Sequence, residues 1–191
     1  MLYMVECDFA DPAQEDAWNR WYSGEKLDEL LANPAFVATQ RFKAVAPQKA
    51  AYLAIHSIRS ADVFSSPGYK AGGGGRFGDW DPALMTNWSR RLFDGMAESP
   101  DVGPGERLLI VDAGATLPPG VAVAWVDGLD WSRVSQYKNA VALDASVTRR
   151  GLAVVAKADA SRFAKTPGVH VYAPLTVKKR KQAGLADERN G

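Results

Sequence analysis

The chain has 191 residues, 47% apolar and 24% charged, which excludes global disorder and leaves enough apolar material for a core without disulfide or metal staples. Lys plus Arg number 23 against 22 Asp plus Glu, a net charge of +1, so overall charge gives no support to nucleic-acid or polyanion binding. With one cysteine, Cys7, neither an intrachain disulfide nor a cysteine-based zinc site can be built, and the two histidines, His56 and His170, show no H-x-x-x-H or E-x-x-H spacing.

Leu2–Phe9 alternates as a strand. Tyr3, Val5, Cys7 and Phe9 form a fully apolar face that should meet a packed layer. The opposite face, Leu2, Met4, Glu6 and Asp8, ends in two carboxylates, which is odd for a core and acceptable for a cavity. Asp11 and Pro12 then mark a helix start. Ala17, Trp18, Trp21 and Tyr22 form a stripe at helical spacing. Gly24 interrupts it, and Leu27, Leu30 and Leu31 resume with shifted phase, which predicts a bent helix or two helices meeting near Ser23-Gly24. Asn33-Pro34 stops the run.

Phe36–Ala44 and Tyr52–Ile58 read as the second and third strands. Residues 60–64 start a short helix. Residues 65–80 carry glycine at 68, 72, 73, 74, 75 and 78 and read as a mobile loop suited to a lid. A fourth strand is expected over 88–96. Residues 97–106 look like a linker. The second half predicts strands at 108–112, 121–126, 140–143, 152–156 and 169–172 and one short helix at 160–165, with Trp125 and Trp131 as core. This half allows a degenerate second β-α-β copy, although no residue-level repeat links the halves. The basic run Lys178-Lys179-Arg180-Lys181 and the polar end read as a frayed tail over 176–191.

These elements predict an α+β protein. Its first half, 1–96, would be a ferredoxin-like β-α-β-β-α-β unit. A strand-rich second unit over 107–175 would pack on it. No basic leader precedes an apolar run, and no stretch approaches the roughly 18 apolar residues of a membrane span. The expectation is a cytoplasmic protein with neither membrane nor nucleic-acid partner.

The segment from Ala17 through Trp18, Trp21, Tyr22, Glu25 and Lys26 to Leu31 is followed by Asn33-Pro34-Ala35-Phe36 and Arg41-Phe42. Tyr52-Leu53-Ala54 and then Ser60 to Phe64 come after them. Together these resemble the EthD-type branch of the dimeric α+β barrel superfamily, with its W-Y-x-x-E-H helix, Pro-Gly-Phe turn and Arg-aromatic strand end. The resemblance covers roughly residues 1–96 and departs at Lys26, where the family has His, and at Ala35, where it has Gly. It implies a sheet that closes into a barrel, with a second subunit in a homodimer or with the chain's own second half. It also implies a cavity for a small aromatic or polyketide-like molecule.

The site residues follow from this combined reading. His56, on a central strand face with Tyr52 and Ala54, is the candidate acid/base. Arg41 and Lys26 would hold an anionic group, with Arg41 facing a cavity or an edge, near Asp8 or Glu6, because an Arg facing a helix is costly. Tyr22, Tyr69, Tyr52, Asp8 and Trp88 would line the substrate pocket. The expected activity is a cofactor-independent lyase or isomerase reaction on a small aromatic or polyketide-like carboxylate: decarboxylation, dehydration, cyclisation or isomerisation. The alternatives are a non-catalytic binder of a hydrophobic metabolite and a haem-dependent barrel enzyme, with His170 as a second cavity residue or axial ligand.

Overall fold

The computed structural model describes residues 1–48, 50–71, 77–129 and 146–181. Its strands are β1 Leu2–Phe9, β2 Phe36–Ala44, β3 Tyr52–Ile58, β4 Met85–Asp94, β5 Glu106–Asp112, β6 Ala124–Gly128, β7 Arg149–Ala156, β8 Val169–Pro174 and β9 Lys179–Arg180. The α-helices are α1 Glu15–Trp21, α2 Leu27–Ala32 and α3 Pro67–Ala71. Around the sheet the order is β3-β1-β4-β6-β7-β5-β8-β2, and β2 pairs back onto β3, so eight antiparallel strands close a barrel.

This overturns the expected ferredoxin-like α+β barrel with a β-α-β-β-α-β first half. The fold is a closed antiparallel β-barrel, mostly strand, with little helix. Two physical reasons account for the difference. The second expected helix has no length: it is a 3-10 turn, Ala61–Ser65, and the five-residue α3. The edges of the first four strands do not stop where a self-contained unit would end. β4 continues into β6 through Phe93↔Gly128 and Asp94↔Asp127, and β2 continues into β8 through Phe42↔Pro174 to Ala44↔Tyr172. The second half thus inserts four strands into one sheet, and closure occurs within a single chain without a partner subunit. The helix expected at 160–165 is a 3-10 stretch, Lys157–Arg162. The expected strand at 140–143 and Trp131 lie outside the described residues.

Alternation on β1 sets the layering. Leu2 and Met4 point into the barrel with Phe42, Leu53, Ile55, Phe93, Leu108 and Ile110. Tyr3, Val5, Cys7 and Phe9 point outward beneath the helical layer, against Trp18, Leu27 and Leu30. The phase shift at Gly24 is a π-helical turn, Tyr22–Lys26, between α1 and α2. The wider turn absorbs the odd residue and keeps Trp18, Tyr22, Lys26, Leu27 and Leu30 on the buried side. Asp11 does not cap α1. Its Oδ1 accepts from the Ala13 N–H at 2.9 Å in a turn, and α1 begins at Glu15.

The basic run near the C-terminus is partly ordered. β9 pairs with β2 at Ala38↔Arg180 and Thr39↔Lys179, while Lys178 and Arg180 both reach Glu98, at 2.5 and 2.9 Å. These cations are matched by protein carboxylates. Residues 182–191 lie outside the described residues.

Barrel closure leaves one tight seam. A Cβ built on Gly128 would lie 2.2 Å from the Val147 carbonyl oxygen, a backbone atom that cannot rotate away. Gly128→Ala is therefore expected to lower stability by about 1–3 kcal/mol, as overpacking does. A urea-denaturation midpoint indistinguishable from that of the parent would show that the seam gives way.

Candidate functional site

Five of the eight site residues expected from sequence meet in one place. His56, Lys26, Tyr22, Tyr69 and Trp88 line a small cavity between the outer face of the sheet and the helical layer, together with Tyr3, Arg90 and Phe77. The volume is about 30 Å³. That is close to the space of one water molecule. An aromatic ligand fits only after lining rings move apart.

His56 sits on β3, and its face is the outer one, not the barrel interior. The ring lies between Tyr3, at 5.4 Å between centroids, and Phe36, at 5.8 Å. It is 0% exposed. Nδ1 and Thr39 Oγ1 share a hydrogen bond of 2.8 Å. Nε2 is buried and has no hydrogen-bond partner among the described residues. Burial, reinforced by the nearby positive charges of Lys26 and Arg41, pushes the pKa of His56 down to about 3. The imidazole is therefore neutral at physiological pH, with one ring nitrogen available to a ligand.

Lys26 is delivered to the pocket by the π-helical turn and is 6% exposed, with Nζ 3.8 Å from the Glu29 carboxylate. Tyr22 and Tyr69 are buried phenols held protonated well above the usual tyrosine range, chiefly by burial. Tyr69 stacks parallel to Phe36 at 6.1 Å and meets Phe64 edge-on at 5.1 Å. Among the described lining residues Lys26 and Arg90 are the cations, and none is a carboxylate.

Three expected site residues lie elsewhere. Arg41 faces the helical layer, contrary to the expectation of a cavity or an edge. Its guanidinium lies over the rings of Tyr22, Trp18 and Tyr52 at 4.1, 4.7 and 5.6 Å. It donates to Asn19 O, Asn19 Oδ1 and Ser23 Oγ at 3.1, 3.0 and 2.8 Å. Aromatic faces and neutral acceptors offset its desolvation, so it needs neither Asp8 nor Glu6. Tyr52 directs its hydroxyl out of the pocket, donating to Glu15 and accepting from Asn19 Nδ2 at 2.9 Å. Asp8 belongs to the open end of the barrel, where it accepts from Ala51 N at 2.6 Å and Asn87 Nδ2 at 2.5 Å.

Sequence reasoning missed Tyr3, Arg90 and Phe77. Arg90 was recoverable, since it alternates with Trp88 and Leu92 on the face of β4 that meets the helices. The β1–β4 register shifts between Glu6 and Asp8, where Asn87 adopts a left-handed backbone, φ 47°. This irregularity comes just before Trp88, which lines both this pocket and the larger cavity at the barrel's open end. The lid expected over 65–80 falls partly on residues 72–76, outside the described residues.

Neither histidine suits a haem. A porphyrin far exceeds the cavity beside His56, and both ring nitrogens of His170 are engaged, by Gln48 at 3.3 Å and Asp112 at 3.1 Å. Among the described residues no helix is long and apolar enough to cross a membrane, and no group of three or more His, Cys, Asp or Glu is placed to hold a metal ion. Compared with protein-family models, with curated proteins and with solved structures, the chain matches none.

Proposed function

We propose that the pocket beneath the helices takes a small aromatic or polyketide-like carboxylate and that His56 moves a proton on it, in a lyase or isomerase reaction that needs no cofactor. The observation that carries this reading is the buried, neutral His56, whose Nε2 is unpartnered among the described residues, beside Lys26 in an aromatic lining whose described residues include no carboxylate. Such a lining favours an anionic aromatic guest: the rings stack on it, and Lys26 and Arg90 attract its charge. Burial is the main cause of the low His56 pKa, and an anion arriving beside it offsets the added effect of Lys26 and Arg41, so proton acceptance becomes easier with the ligand bound. Tyr22 and Tyr69 remain protonated and can donate to an oxygen that gains charge.

The closed volume favours a second reading, a non-catalytic binder whose pocket opens only for its guest. Benzoate titration of the parent protein and Lys26→Met tests what the two readings share. Removing the cation is expected to weaken benzoate by about tenfold. Deuterium exchange into carbonyl-bearing aromatic acids, followed by proton NMR in heavy water, separates the readings: the parent protein should promote exchange and His56→Gln should not. Benzoate affinity unchanged by Lys26→Met would end both.

A further inference from the structure

We propose, resting on the reading of the pocket beside His56 as a ligand site, that residues 25–32 are the wall that opens it, hinged at Gly24 and latched by the C-terminal strand β9. The pocket holds only about 30 Å³, so a guest needs one side to give way. Tyr3, His56 and Arg90 line it from β1, β3 and β4, whose backbones are tied into the barrel by ladder pairing. Tyr22, Lys26 and Leu30 line it from the π-helical turn and α2. A strand cannot withdraw without orphaning its ladder groups, so the helical side is the one that can move.

Polar contacts place the hinge. As far as Ser23 the helical layer is pinned to the sheet, because Arg41 of β2 donates to Asn19 O, Asn19 Oδ1 and Ser23 Oγ at 3.1, 3.0 and 2.8 Å. Gly24 is the next residue. Its φ is not positive, and a Cβ built on it meets nothing within 4 Å. Sterics therefore do not ask for glycine here, and alanine would favour the helix. What glycine supplies is a backbone that bends easily, inside a single π-helical turn of the kind found mostly at functional sites.

Past the hinge, α2 is held from its far end. Lys179 Nζ lies 2.7 Å from Asp28 Oδ1, and Lys181 Nζ donates to Leu31 O and Ala32 O at 3.1 and 3.2 Å. An ammonium group on the last carbonyls of a helix meets the negative end of its dipole. β9 is itself paired with β2, so the latch is fixed to the barrel wall. These contacts are exposed and can be released in water at little cost. Lifting α2 also uncovers Leu27 and Leu30, 0% and 4% exposed, which keeps the open form a minor state that a guest must wait for.

The test uses the full chain, Gly24→Ala and Lys181→Met, none of which alters a residue of the pocket lining. Amide hydrogen exchange without ligand is expected to be faster over residues 27–32 than over 18–23. Lys181→Met should speed it and Gly24→Ala should slow it, each by up to about fivefold and by one common factor across 27–32, as opening of a single unit requires. Stopped-flow tryptophan fluorescence with benzoate should show association changing in the same two directions. Exchange in 27–32 no faster than in 18–23, changes confined to amides beside the substituted residue, or benzoate binding at the parent rate in both variants would each overturn the proposal. Should benzoate fail to bind the parent protein, the reading of the pocket falls, and exchange alone still upholds or overturns the moving wall.

Discussion

Between pH 6.5 and pH 3 the protein should lose about 5 kcal/mol of stability through one side chain, His56. In the unfolded chain its imidazole takes up a proton near pH 6.5, whereas in the fold the same group resists until about pH 3. Below pH 6.5 the unfolded state therefore binds more protons than the native state. Each further pH unit shifts the balance toward unfolding by about 1.4 kcal/mol. The contribution is fully present above pH 6.5 and is lost as the pH falls toward 3. The cause is physical enclosure: the ring is buried between Tyr3 and Phe36, with the positive charges of Lys26 and Arg41 nearby and no carboxylate among the described lining residues. Glu15 and Glu98, whose pKa values are lowered mainly by their hydrogen bonds to Tyr52 and Lys178, also lose stability in acid, but they do so in any His56 variant. The informative quantity is thus the difference between proteins. Urea melts at about pH 7 and pH 4 should show the parent losing about 3 kcal/mol more than His56→Gln does. Equal losses would mean that His56 is not held neutral by the fold.

The strands of the first half were legible because their alternation is unbroken. β1, β2 and β3 run from Leu2 to Phe9, Phe36 to Ala44 and Tyr52 to Ile58, as the apolar pattern predicts. The carboxylates at the end of β1 read as acceptable in a cavity, and Glu6 lines one. Overall architecture was not. Whether a strand edge stops or accepts another strand depends on partners far away in sequence, such as Gly128 opposite Phe93, and no local pattern encodes that. His56 was proposed from the strand pattern of Tyr52 to Ile58, Lys26 from its place in the family-like motif and Tyr69 from the glycine-rich loop, and the fold brings them together with Tyr22 and Trp88. Arg41 was misplaced because a cost was weighed without its compensation. The aromatic stripe of α1 looks like packing material for hydrocarbon, yet its rings present π faces to a cation. The Glu6, Arg91 and Arg150 cluster joins residues up to 144 positions apart, and the long-range strand order β1-β4-β6-β7 brings them together.

Arg41→Ala should lower stability by about 3–5 kcal/mol, as large-to-small changes at buried and hydrogen-bonded positions do. The side chain is 1% exposed and among the largest that are fully buried. Truncation opens a void beneath Trp18 and Tyr22 and removes the donors to Asn19 O, Asn19 Oδ1 and Ser23 Oγ. No buried carboxylate is left behind, so the loss is set by packing and by these acceptors rather than by an orphaned charge. That distinction can be measured with Arg41→Met, which restores much of the volume and removes the cost of burying a charge, though not the donors. It should lose about 1–2 kcal/mol, clearly less than Ala does. A Met variant as unstable as the Ala variant would place the weight on the hydrogen bonds alone. An Ala variant within about 0.5 kcal/mol of the parent, the range of ordinary surface changes, would contradict the burial itself. Because Arg41 stands outside the pocket lining, Arg41→Met should bind benzoate nearly as the parent does, while Lys26→Met should not. The sequence motif names both cations, and the fold gives one to the architecture and the other to the pocket.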